Sequence, residues 1–261
     1  MNISSPSNSS GTGCAVRWAR HWLSAALGAA TLLTLLPAMA ADLGVDPVSL
    51  ELSPDKQTAA LKVSNASDLP TSIQIQAVAW SQQDGKDVYA PTKELLVAPP
   101  IVTIAPNSEQ IIRVALRRPA DPVKELTYRI FLQELPVPPP SGYRGLQVAL
   151  RIGLPVFVKP AKTQAVPNMV WSVAWAPDHS LKVTMQNQGA AHVQVSDFEL
   201  FTPGIDKSIA GESGSSYMLA GQSRSWSLKA DYSARTANGR MLLKAYTDAG
   251  NIDVVLIAGN P

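Results

Sequence analysis

A period of two, repeated in short runs, is the feature that most constrains this chain. Apolar residues alternate at Val48, Leu50 and Leu52, at Ala59, Leu61 and Val63, and at Ile73, Ile75, Ala77 and Ala79. Turn residues cut these runs every ~8–12 positions, as at Asn65-Ala-Ser-Asp-Leu-Pro70, Gln82-Gln-Asp-Gly-Lys86 and Ala105-Pro-Asn-Ser108. Side chains on a strand point alternately to its two faces, so each run offers one apolar face to a core. A helix would need an apolar stripe with a period near 3.6, and no such stripe of useful length follows residue 40. The 21 prolines and 16 glycines suit strand ends and loops and oppose helix interiors. The expectation is an all-β chain of sandwich type, with further strands at 111–116, 128–135 and 146–158.

The pattern occurs twice. Leu181-Lys-Val-Thr-Met-Gln-Asn187 echoes Leu61-Lys-Val-Ser-Asn65, and Leu219-Ala-Gly-Gln-Ser-Arg-Ser-Trp226 echoes Ile104-Ala-Pro-Asn-Ser-Glu-Gln-Ile111. Between the halves lies Lys159-Pro-Ala-Lys-Thr-Gln-Ala-Val-Pro-Asn168, whose two prolines make a semi-rigid connection. These features predict two related immunoglobulin-like sandwiches. The first spans 41–160, a linker 161–168, and the second 169–261.

Residues 1–40 read as an export leader. Arg17 and Arg20 precede an apolar run from Leu23 to Leu36, then Pro37 and the small-residue site Ala38-Met-Ala40. Cleavage is expected between Ala40 and Ala41. The run is shorter than the ~20 residues of a spanning helix, so no stable membrane insertion is expected. The chain has 22 Lys+Arg and 20 Asp+Glu, and the leader holds two of the arginines and no acid. The remainder therefore balances at 20 against 20, which gives little attraction for nucleic acid or an anionic surface. The single cysteine, Cys14, lies in the leader, so the rest has neither disulfides nor thiolate ligands.

No catalytic constellation emerges, and no enzyme activity, cofactor or metal is expected. Asp178-His179-Ser180 has triad residue types, but adjacency in a turn after Pro177 is not triad geometry. His192 reads as an exposed strand residue. Asp197 and Glu199 share a strand face, as solvated pairs do. Trp80, Trp171, Trp175 and Trp226 read as core or domain-junction residues.

The most informative segment is Gly145-Leu-Gln-Val-Ala-Leu-Arg-Ile-Gly-Leu-Pro155. Leu146, Val148, Leu150, Ile152 and Leu154 fall on one face as a five-toothed apolar comb. One reading is the buried face of an ordinary sandwich strand. The other is a strand offered to a partner, with main-chain hydrogen bonds joining the sheets and alternate side chains filling a groove. Pro155 lacks an amide donor, so pairing is expected to weaken there.

The segment resembles the last first-domain strand of periplasmic pilus-assembly chaperones of the chaperone–usher pathway. Tyr128-Arg-Ile-Phe-Leu-Gln-Glu-Leu-Pro136 is similar to that family's preceding strand, and Ala105-Pro-Asn-Ser-Glu-Gln-Ile-Ile-Arg113 to its turn and following strand. Phe157-Val-Lys-Pro160 and Val166-Pro-Asn-Met-Val-Trp171 resemble its domain junction, and Val63-Ser-Asn65 an early strand end. The resemblance implies an L-shaped or boomerang pair of sandwiches with a cleft between them. It implies a periplasmic chaperone that completes strand-deficient pilus subunits and delivers them to an outer-membrane usher. It leaves room for self-association of the free chain through its apolar strand. Better-known members hold the subunit's terminal carboxylate with a basic pair, and the matching positions here are Ser49 and Pro155. The resemblance to archaic-type members makes Arg129 the candidate anchor, with Arg113, Arg151 and Lys159 in reserve; a plain surface charge is the alternative for Arg129. Glu125 and Lys159 match positions that tie the domains together, and an ion pair between them is expected. The short connection 137–145 and the missing cysteines set the chain apart from the long-loop, disulfide-bearing branch. A rival reading is an exported two-domain adhesin or surface-binding module.

Overall fold

The structure is a computed structural model that describes residues 1, 42–136, 141, 146, 148–234, 236 and 238–259. The leader and its cleavage site, and the connection 137–145 apart from Ser141, lie outside the described residues. Everything from Asp42 onward belongs to one compact unit, 41–261.

Ten strands form the first sandwich: β1 (Leu43–Asp46), β2 (Leu50–Leu52), β3 (Thr58–Asn65), β4 (Thr71–Gln83), β5 (Lys86–Pro91), β6 (Leu95–Ala98), β7 (Ile101–Ile104), β8 (Ser108–Leu116), β9 (Leu126–Glu134) and β10 (Arg151–Val158). One sheet runs β1-β3-β8-β6; the other runs β2-β10-β9-β4-β5, with β7 paired to the first half of β4. The inward teeth of the alternating runs, including Leu61, Ile73, Ile112, Ile130 and Val156, meet in one core. β2 starts only at Leu50, and Val48 is exposed, so that run is shorter than its alternation predicts. The β4–β5 turn puts Asp84 and Gly85 both at positive φ, the two-residue geometry that matches the right-handed twist of a hairpin.

The second sandwich has seven strands: β11 (Met169–Trp175), β12 (Leu181–Asn187), β13 (Val193–Phe201), β14 (Ser208–Met218), β15 (Ser223–Leu228), β16 (Arg240–Thr247) and β17 (Ile252–Ile257). Its sheets run β11-β12-β15 and β14-β13-β16-β17. Trp171, Trp175 and Trp226 lie in its core with Phe198 and Leu200. Apart from one short 3₁₀ turn at Tyr232–Ala234, the described elements are all strands.

The echo between the halves has a physical basis. Asn65 ends β3 with its side chain buried, and its Nδ2 donates to the carbonyls of Leu69, Ile104 and Ala105. Asn187 ends β12 in the same way, and its Nδ2 donates to Ala191, Met218 and Leu219. In each half one buried amide closes the local turn and tethers the distant turn that leads into the next strand of that sheet. Burying a side-chain amide is costly unless its hydrogen bonds are so satisfied, which explains why the same residue stands at both places.

Candidate functional site

β10 changes character along its length. Leu154, Val156 and Val158 are buried in the first core, and Ile152 packs against it. Leu146 and Val148 continue the same alternation yet are 86 % and 73 % exposed, and Leu150 is half-buried. Regular strand begins at Arg151, so the expected strand from Leu146 is shortened. The ladder to β9 closes just before that point: the Glu134 amide donates to the Leu150 carbonyl at 2.9 Å, and the Leu150 amide donates to the Glu134 carboxylate at 3.0 Å. The comb is thus divided. Leu154 serves the chain's own core, while Leu146 and Val148 project beyond it. Pairing does not weaken at Pro155, contrary to expectation: β9 stays in register through it. β2 pairs with β10 only from Val156 onward, so a missing amide is tolerated at the open edge before it.

The outward face of the same sheet carries cations and aromatic rings. Arg129 on β9 lies directly opposite Pro155 on β10 and Val78 on β4. Ser49 immediately precedes Leu50, which registers with Val156. Ser49 and Pro155 therefore belong to one row, and the guanidinium in that row comes from the neighbouring strand. Opposed side chains on adjacent strands start only ~5 Å apart, so Arg129 can serve the space a lysine at 155 would serve. Its guanidinium lies 4.1 Å from the centre of the Trp80 ring and 5.8 Å from that of Tyr89. Its Nε is buried without a hydrogen-bond partner, as are the indole N–H groups of Trp80, Trp171 and Trp175. Burial pushes the Tyr89 phenol up, its hydrogen bond to Asp87 adds to this, and the Arg129 charge opposes both. Burial and then Asp248 push Tyr217 up, again against Arg129.

Arg151 and Arg113 are placed differently. Arg151 shares the outward face, stacked 4.1 Å over Phe131, but opposes Gln133, two rows further towards the tip. Arg113 is on β8 in the opposite sheet, where it lines an open groove of about 980 Å³ with Ala60, Leu96 and Ala98. The fold does not bring Arg113 and Arg129 together.

The junction between the sandwiches lies beside Arg129. Trp80, Phe157 and Leu219 form a small buried cluster, joined by Tyr217. Gln82 on β4 accepts from the Leu219 amide and donates to the Tyr217 carbonyl. The expected Glu125–Lys159 pair is absent. Glu125 instead accepts from the His192 amide at 2.8 Å and contacts His192 Nδ1 at 2.7 Å. Lys159 pairs with Glu51 at 2.7 Å within the first sandwich, on a surface more than half exposed at both ends. The parallel β2–β10 pairing explains this choice: Glu51 sits opposite Phe157, one step from where Lys159 leaves the strand. His192 is not an exposed strand residue. Its side chain is 17 % exposed, and its ring stacks on Phe157 at 3.4 Å. Of the expected pair only Glu125 ties the two sandwiches, and its partner is His192.

His179 sits at positive φ in the Ala176–Ser180 turn and stacks on Tyr232. Asp178 there is held below the usual carboxylate range by the Ser180 side chain and amide. Asp197 and Glu199 line a shallow surface pocket on the second sandwich with Glu212.

The structure thus sets an exposed apolar strand tip and an arginine face beside the junction of two sandwiches. Residues 42–164 match the PapD N-terminal domain of the pili and flagellar-assembly chaperones, and that segment belongs to this family. No curated protein matches the chain. Among solved structures, a chain of the CsuC–CsuE chaperone–tip adhesion subunit pre-assembly complex, from the archaic chaperone–usher Csu pili of Acinetobacter baumannii, aligns with a TM-score of 0.62 at 18 % identity, covering 85 % of this chain and 100 % of that one. A chain of the Salmonella enterica SafA pilin–SafB chaperone complex aligns at 0.58 and 16 % identity, covering 84 % and 98 %. The E. coli chaperone DraB aligns at 0.55 and 18 % identity, covering 82 % and 98 %. At these identities the likeness is one of fold.

Proposed function

We propose that this chain is a periplasmic chaperone that binds incomplete pilus subunits by lending them the strand tip Leu146–Ile152, then passes them to an outer-membrane usher. The observation that carries this reading is the divided comb, a buried strand whose apolar teeth continue into solvent. A sandwich that lacks one strand exposes an apolar groove and unpaired sheet edges, both of which promote aggregation. Main-chain pairing along the tip would close the edges, and Leu146, Val148 and Leu150 would fill the groove. Arg129 would hold the subunit's terminal carboxylate, since a guanidinium grips a carboxylate through two parallel hydrogen bonds. Residues 1–40 would serve as the export leader, and the free chain could mask its tip by pairing with a second copy.

Co-expression with a small secreted β-rich protein encoded beside this gene tests the reading. A soluble one-to-one complex is expected, with the backbone amides of Val148 and Ala149, which precede the β9–β10 ladder, gaining protection from exchange in the complex. A subunit that stays soluble alone, or a complex that leaves these amides unprotected, would overturn it.

A further inference from the structure

The indole on which Arg129 rests is also part of the domain junction. Trp80 is 3 % exposed. One ring neighbour is the Arg129 guanidinium; others are Tyr217 of the second sandwich, edge-on at 5.4 Å, and Phe157 at 6.0 Å. Two residues along β4, Gln82 fastens the same strand to the backbone of Tyr217 and Leu219. The opposite flank of Arg129 depends on a missing side chain. A Cβ on Gly153 would stand 3.0 Å from Cε1 of Phe131 and 3.4 Å from Cδ of Arg129. With no Cβ there, the Phe131 ring and the arginine stem can close over β10.

An arginine on an open strand face samples many rotamers, and ordering it opposes binding. Stacking uses the flat face of the guanidinium and leaves its N–H edges for a carboxylate. Among the described residues no acidic side chain forms an ion pair with Arg129. Both supports thus constrain the charge, and with Nε buried it is the terminal Nη groups that remain for a carboxylate. We propose that Trp80 and Gly153 are positioning residues for Arg129, and that through Trp80 the grip on the partner's chain end depends on how the two sandwiches dock. This inference rests on the reading that Arg129 takes a terminal carboxylate.

The test compares affinities for two forms of the co-expressed subunit, one with its native end and one with two glycines appended, which moves the carboxylate away. The unaltered chaperone is expected to favour the native end by about tenfold or more, the scale of one charge-assisted hydrogen bond. Arg129→Ala should reduce that ratio to near one. Trp80→Leu should do the same, and Gly153→Ala should lower the ratio at least threefold. General weakening of the fold moves both affinities together and leaves their ratio intact. If Trp80→Leu does not fold, Gly153→Ala, which lies outside the buried junction, carries the test. A full ratio in Gly153→Ala and any folded Trp80 variant, alongside a lost ratio in Arg129→Ala, overturns the positioning role and leaves the Arg129 reading standing. A full ratio in Arg129→Ala overturns both.

Discussion

Val148→Asp separates lending a strand from folding. In the free chain Val148 is 73 % exposed and lies before the regular part of β10. A substitution at such a place changes stability by no more than about 0.5 kcal/mol. In the complex its side chain would be buried in the subunit's groove. Losing that burial costs about 1.5 kcal/mol for a valine, and placing a carboxylate in an apolar groove adds at least about 2 kcal/mol more. The total, roughly 3.5 kcal/mol, is a loss of several hundredfold in affinity. Leu154→Ala is the counter-experiment. Leu154 is 3 % exposed inside the chaperone's own core, so the change should cost about 2–5 kcal/mol of fold stability. Urea unfolding of each free variant, with calorimetric titration of purified subunit, reads both quantities. Subunit affinity within threefold of the unaltered chain in Val148→Asp would refute the assignment of the tip.

Three further outcomes follow from the same geometry. Asn187→Ala strands several buried partners at once and should destabilise the second sandwich by about 2–4 kcal/mol in urea unfolding. Glu125→Ala should loosen the junction, seen as altered small-angle scattering, whereas Lys159→Ala, which breaks only an exposed pair within one sandwich, should leave scattering unchanged and stability within about 0.5 kcal/mol. Glu94 is held below the ordinary carboxylate range first by its hydrogen bond to Tyr128 and then by Arg118. Its contribution is therefore present above the unfolded carboxylate value and lost as pH falls through the lowered folded one. Glu94→Gln should flatten that acid limb of the stability–pH profile measured by thermal melts.

Local alternation made much of the fold legible. The hairpin at Asp84-Gly85, the buried faces of β3 and β4, and the repeated strand-ending asparagines all follow from short-range pattern. Partners across the molecule did not. Nothing near His192 in sequence marks it as the mate of Glu125, because the contact joins two domains. The family resemblance pairs Lys159 with Glu125, but its actual neighbour Glu51 comes from a three-residue parallel strand too short to register as a pattern. The division of the comb was equally hidden: five identical-looking teeth differ only in where the supporting sheet ends. Arg129 was legible as a residue, but its row beside Pro155 needed the register of β9.

That division makes β10 a ruler. Slipping its buried half by one residue would turn Leu154, Val156 and Val158 out of the core, so the register of the exposed half is set before any partner arrives. Extended, the nine steps from Leu146 to Pro155 measure about 30 Å at ~3.3 Å each. A subunit held as proposed must therefore separate its chain end from the far end of its groove by that length. Proteins whose grooves are longer or shorter would be rejected by measurement, before any side chain is compared.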